Sequence, residues 1–262
     1  EKGFKQVEKN TTTGVITDYG RMDSTKRWDR FYLEEYFKQK PALNAALDSG
    51  GTTTTNAELT TFAIANKDFE TLGTSMTTAL TTFASTSAGI LMTTAGSDQD
   101  QSILLPHLDT NQSVWSGTKW GTENQVEWEC SIMLPAIDNQ WVWAGLKKSN
   151  VAELATDTEQ AFFTFGTDAD NSGQSFDDFT KWHFVHSIGG TDYISQIPIT
   201  VAANTPYHFR IKFDSDRKVE MFLNGVQYDI TTTSGSTGGT AVAAGTAKSA
   251  AITNDVNLIP YI

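Results

Sequence analysis

Tyr207-His208-Phe209-Arg210-Ile211-Lys212-Phe213-Asp214-Ser215-Asp216-Arg217-Lys218-Val219-Glu220-Met221-Phe222-Leu223-Asn224-Gly225 is the stretch that decides the fold. From Tyr207 to Phe213 apolar side chains hold the odd positions and polar ones the even positions. That two-residue period belongs to a strand with one face in a core. Asp214 to Arg217 reads as a tight turn. The strand that follows ends on Asn224-Gly225, a pair suited to the left-handed backbone of a hairpin turn.

Outward from this hairpin the same grammar repeats. Further strands are expected over 69–72, 79–85, 89–94, 102–107, 125–134, 140–147, 161–167, 181–188, 193–199, 227–232 and 257–262. Threonine supplies 38 of the 262 residues, and it favours strands and their exposed faces. With no helical crossovers between the strands, the pattern predicts an all-β sandwich. Residues 233–250 are low in complexity and read as a flexible surface loop. The closing Leu258-Ile259-Pro260-Tyr261-Ile262 reads as an apolar strand that stops abruptly, so a further strand is expected beyond it.

The first residues read differently. Asp23-Ser24 can cap a helix through residues 25–37, on which Trp28, Phe31, Tyr32 and Tyr36 form an aromatic stripe. Pro41 ends it, a short second helix is expected over 42–47, and Ser49-Gly50-Gly51 with four threonines marks a linker. The expected division is therefore an extended and helical arm, 1–58, and a sandwich, 59–262. The stripe either packs on its own sandwich or forms an assembly interface with a neighbouring subunit.

Bulk properties narrow the function. The formal net charge is −12. Residues 1–40 carry nine basic and seven acidic side chains, against ten and twenty-four in 41–262. An acidic body does not suit nucleic acid, whose phosphates call for clustered Lys and Arg. No apolar run approaches the length of a membrane helix, so neither nucleic acid nor a membrane is an expected partner. Cys130, the single cysteine, alternates inward with Trp128 and Ile132 and reads as a small core residue.

The unit 207–225 resembles the paired strands of concanavalin A-like (laminin G-like) jelly-roll sandwiches. A closer resemblance covers about residues 66–262. Lys67-Asp68-Phe69-Glu70-Thr71-Leu72-Gly73-Thr74, Leu105-Pro106-His107-Leu108-Asp109-Thr110-Asn111-Gln112, Trp120-Gly121-Thr122-Glu123-Asn124-Gln125-Val126-Glu127-Trp128-Glu129-Cys130, Trp143-Ala144-Gly145-Leu146-Lys147 and the closing Leu258-Ile259-Pro260-Tyr261-Ile262 resemble a family of structural proteins of tailed bacteriophages, notably of aquatic hosts. The resemblance implies a virion protein made in the host cytoplasm and displayed on the particle exterior. It would be a capsid decoration or cement protein, or a tail or fibre component. Its partners would be capsid or tail subunits and further copies of itself. In that family a further apolar strand follows the Ile-Pro-Tyr-Ile segment.

Candidate chemistry is sparse, and no catalytic residues are expected. Glu127 and Glu129 share one strand face, but it is the face opposite Trp128 and Cys130 and points to solvent. The spacing also departs from a glycosidase carboxylate pair. His183 and His186 fall on opposite faces of one strand and cannot share a metal there. Asp168, Asp170 and Ser172, with Gly173 sixth from Asp168, match the opening of a calcium loop. The twelfth position is Phe179 rather than a bidentate Glu, and the alternative is a solvated acidic turn. Calcium is accordingly the one cofactor the sequence raises. Trp115 and Trp120 flank a turn and are the candidates for a ligand loop, while Trp141 and Trp143 share a strand face and read as core. A carbohydrate-binding, lectin-like module that recognises a host-surface glycan through these loops is the alternative to the structural reading.

Overall fold

The structure is a computed structural model that describes residues 35–37, 40–46, 66–75, 77, 79–84, 89–97, 100–106, 121–148, 158–167, 175–235, 237–254, 256 and 258–262. Among them it is nearly all β, with no α-helix. In chain order the strands are β1 (Pro41–Ala46), β2 (Asn66–Gly73), β3 (Thr81–Phe83), β4 (Ile90–Met92), β5 (Ser102–Pro106), β6 (Glu127–Met133), β7 (Trp141–Lys147), β8 (Gln160–Gly166), β9 (Ser175–Phe176), β10 (Lys181–Ile188), β11 (Thr191–Thr200), β12 (Pro206–Phe213), β13 (Val219–Leu223), β14 (Val226–Tyr228), β15 (Thr237–Gly238), β16 (Thr240–Ala241) and β17 (Ile259–Tyr261). The chain divides into two units, 1–36 and 37–262. Of the first, only Glu35 and Tyr36 are described, and neither is helical.

Two sheets make the sandwich. One has six strands in the order β16-β11-β10-β8-β7-β17, the other four in the order β14-β13-β12-β6. The β12–β13 hairpin follows the alternation of its sequence, with Tyr207, Phe209, Ile211 and Phe213 buried beside Val219, Met221 and Leu223. Across the gap lie Phe163, Phe165, Trp182, Phe184 and Ile197 of the larger sheet, and together these residues form the main core. The Phe209 ring sits 4.8 Å from Phe163 and 4.7 Å from Trp182, centroid to centroid. Cys130 packs against this core as expected, and desolvation pushes its thiol well above the ordinary value.

Both turns of the hairpin unit are held by local chemistry. The Asp214 Oδ1 accepts from the amides of Asp216 and Lys218 at 2.8 and 2.9 Å, which closes the β12–β13 turn. Asn224 and Gly225 take φ of 53° and 79°, the mirror-image turn their pairing predicts.

The central strands of the larger sheet are buried on both faces. This explains why β8 and β10 read as near-continuous apolar runs rather than as alternating ones. A third sheet, β1-β2-β5, contributes Ile103 and Leu105 to a small cluster with Tyr261 and Trp143. Leu104 and Ile262 exchange both backbone hydrogen bonds, at 2.8 and 3.0 Å.

Two expectations are corrected here. The helix expected within 42–47 is instead strand β1, which runs parallel to β2. Six residues between a proline and a Ser-Gly-Gly linker cannot offset the cost of helix nucleation, whereas pairing with β2 satisfies backbone groups directly. The expected loop at 233–250 is a strap pinned to the sandwich. β15 pairs with β9, β16 pairs with β11, and Ala244 bridges Tyr228. The Asp229 carboxylate accepts from the Ala247 amide, and the buried Ser249 hydroxyl accepts from the Val219 amide. The strap's small residues allow this close approach. A Cβ on Gly245 would collide with the Asp229 carboxylate.

Candidate functional site

The face of the six-stranded sheet turned away from the main core carries the densest unusual chemistry. Register places Gln196, His183, Thr164 and Trp143 side by side on β11, β10, β8 and β7. One row along lie Ile194, Val185, Phe162 and Gly145. Gly145 is required there, because a Cβ would stand 2.5 Å from both the Ala161 carbonyl oxygen and the Phe162 Cα. Trp141 leans over β8 into the space that a side chain at Gly166 would fill. Its ring lies 6.4 Å from Trp143, edge to face.

Phe176 of β9 enters this face from above. Its ring stacks on His183 at 4.0 Å and 8°, and on Trp141 at 5.4 Å and 21°. Phe179 packs beside it at 6.3 Å. Phe162, Phe176, Val185 and Ile194 are buried here as a second cluster.

Some polar atoms beneath that cover lack partners. Among the described residues, the Thr164 hydroxyl and the indole nitrogens of Trp141 and Trp143 are buried without a hydrogen-bond partner. An orphaned buried group of this kind costs on the order of 1–3 kcal/mol, so a cluster of them is unusual. Burial pushes the His183 imidazole down to about 4, against smaller opposing pulls from the Lys181 backbone, Asp178, Gln196 and Asp177. Two rows along, side chains bond to one another. Gln160 donates to the Ser187 hydroxyl at 2.9 Å, and Ser187 donates to Asp192 at 2.5 Å.

His186 lies on the opposite face, as strand alternation requires. It stacks on Tyr193 at 4.8 Å, and burial lowers it to about 4 as well. Glu127 and Glu129 project to solvent on the outer face of the four-stranded sheet. Arg210 ion-pairs with both, and His208 stands 3.7 Å from Glu129.

Of the remaining sequence candidates, Trp28, Phe31 and Tyr32 lie outside the described residues, and so do Trp115, Trp120, Asp168, Asp170 and Ser172. Tyr36 is described and is 64% exposed. Asp178, at the end of the candidate calcium loop, accepts from the Thr180 amide and hydroxyl and pairs with Lys181 at 2.5 Å. The Lys181 hydrogen bond, then those of Thr180, hold its carboxyl well below the usual range. Sequence reasoning assigned Trp141 and Trp143 to one face but missed their grouping with Thr164, His183 and Phe176. The available signal was a run of polar and aromatic residues inside strands too apolar to have a solvent face.

No family model matches the chain, and no curated protein matches it. Among solved structures, the mouse laminin alpha1 chain, domains LG4-5, is similar at 12% identity over 52% of this chain and 27% of that one, with a TM-score of 0.28. A score that low carries no argument, and the sandwich rests on the strand pairing and the shared core.

Proposed function

We propose that this chain is a structural protein of the exterior of a tailed-phage virion. It presents a sandwich of concanavalin A-like jelly-roll type, and its N-terminal segment attaches that sandwich to capsid subunits. The observation that supports this reading is the set of segments between Lys67 and Ile262 that resembles phage structural proteins. The physical character of the body suits the role. A core shared between two sheets gives a rigid displayed unit, and a net charge of −12 keeps copies of it from associating indiscriminately. Attachment is assigned to the Trp28, Phe31, Tyr32 and Tyr36 stripe, whose burial against a neighbour would contribute about 25 cal/mol per Å² of apolar area.

Quantitative mass spectrometry of purified particles tests the proposal, comparing this chain with the major capsid protein. Capsid decoration requires a copy number of the same order as that protein, and the double variant W28A/F31A should be lost from particles while remaining folded in solution. A handful of copies moves the assignment to the tail or fibre. Absence from the particle overturns the virion reading.

A further inference from the structure

We propose that the β3–β4 hairpin is a contact surface for a second copy of this chain, with Phe83 and Ile90 packing on the same pair of the neighbour. The inference goes beyond the virion reading and does not depend on it.

The hairpin has no core of its own. β3 and β4 form a separate two-stranded sheet, with Thr81 opposite Met92, Thr82 opposite Leu91 and Phe83 opposite Ile90. The Ala84 amide donates to the Gly89 carbonyl at 3.1 Å, and the Thr93 amide to the Leu80 carbonyl at 2.9 Å, so the ribbon is closed at both ends. Phe83, Ile90, Leu91 and Met92 are large and apolar, yet none of them joins any of the three core clusters among the described residues. Phe83 is 49% exposed and Leu91 41%. An isolated two-stranded ribbon is marginal in water and is stabilised by a layer packed on its face. Pairing sets Phe83, Ile90, Thr81 and Met92 on one face and Thr82 and Leu91 on the other. Thr81 is buried, so the chain itself covers the base of the first face, and the tip, Phe83 with Ile90, is left to a partner.

Charge identifies that partner. Residues 71–97 contain no Asp, Glu, Lys or Arg, the longest such run in a chain that is 19% charged. A different protein is ordinarily selected by opposite charges placed across the interface, and this run has none to offer. Around a two-fold axis each residue meets its own copy, so a charge near the axis faces its like. An uncharged ribbon suits that geometry. The remainder of the chain carries the whole net charge of −12, and two such bodies repel, which confines the contact to the hairpin. A lipid surface fits less well, because the charges that flank the run are acidic, Glu70 before it and Asp98 and Asp100 after it. So short a ribbon offers less than the roughly 800 Å² per partner of a standard interface, and free copies should therefore pair weakly.

The test is sedimentation velocity on the full chain from about 10 µM to about 1 mM. Wild type should shift from monomer to dimer. Raising sodium chloride from about 50 to about 500 mM should tighten the pair severalfold, because screening relieves the repulsion between the bodies. Phe83→Ser should weaken it by about tenfold or more. Phe83→Leu should retain it, and so should Leu91→Thr, which alters the opposite face. The proposal is overturned if wild type stays monomeric at about 1 mM, or if salt weakens the pair. It is also overturned if Leu91→Thr disrupts pairing and Phe83→Ser does not. A monomeric chain that binds phosphatidylcholine vesicles through Phe83 overturns it as well, by giving the face a lipid occupant. Where F83S does not fold, hydrogen exchange of the wild type decides. The amides of 81–83 and 90–92 must gain protection as concentration rises, and no gain overturns the proposal.

Discussion

His183 and His186 are neutral residents of an apolar interior, and their titration has a definite sign. Each is buried, and burial lowers each from an ordinary value of 6.5 to about 4. Between those values the unfolded chain takes up a proton that the folded chain refuses. The stability associated with each neutral imidazole is therefore complete above 6.5 and is lost as pH falls toward 4. The magnitude is on the order of 3 kcal/mol for each histidine. Asp178 and Asp214 do not blur this window. Burial alone would raise Asp214, but hydrogen bonds from Lys248, Lys218 and Asp216 outweigh it and hold its carboxyl below the ordinary value of 3.8. Asp178 is lowered from the same starting value. Both carboxylates thus lose their contribution only in more acidic solution. Urea unfolding across the histidine window should show a steady fall in stability, and His186→Phe, which keeps an aromatic against Tyr193, should reduce its slope by about half. A slope unchanged by that substitution would assign the acid sensitivity elsewhere.

The elements that were legible in the sequence are those whose own residues state both faces. β12 and β13 alternate strictly, and their turns carry Asp214 and Asn224-Gly225, so strand, register and turn could all be read locally. β8 and β10 were legible as strands but not as the middle of a doubly covered sheet, since a continuous apolar run does not say what covers it. β1 was misread because Ala and Leu favour a helix in isolation, and only distant β2 decides otherwise. The strap over 233–250 was misread for the same reason. Its composition signals mobility, but its order comes from partners such as Val219, thirty residues before Ser249. The cluster around Phe176 was least legible of all, because Phe176, Trp141, Thr164 and His183 come from four separate strands. The strap's role is measurable. Ser249→Ala leaves the buried Val219 amide without its acceptor, and a cost of about 1–2 kcal/mol is expected in denaturant unfolding. A mobile loop would show no change.

The unit 37–262 is organised around one sheet with a core on each side, and that arrangement fixes where large substitutions should be felt. Phe209 points from the smaller sheet into the shared core, fully buried between Phe163, Trp182 and Tyr207. Phe222 is on β13, the strand paired with β12, where Arg210 lies over its ring at 5.2 Å. The two residues are aromatic neighbours across one hairpin, yet they occupy opposite faces of it. Phe209→Ala removes a ring that both sheets hold in place, and the cavity cannot close without separating them, so a loss of about 3–5 kcal/mol is expected. Phe222→Ala removes a half-buried ring with a single cation above it, and the loss should stay below about 1 kcal/mol. Comparing the two variants by urea unfolding reads the sandwich directly. Equal costs would mean that the outer face of the four-stranded sheet is also covered, by a segment or partner whose burial of Glu127, Glu129 and Arg210 would then need its own explanation. Unequal costs in the expected order leave that charged face to solvent.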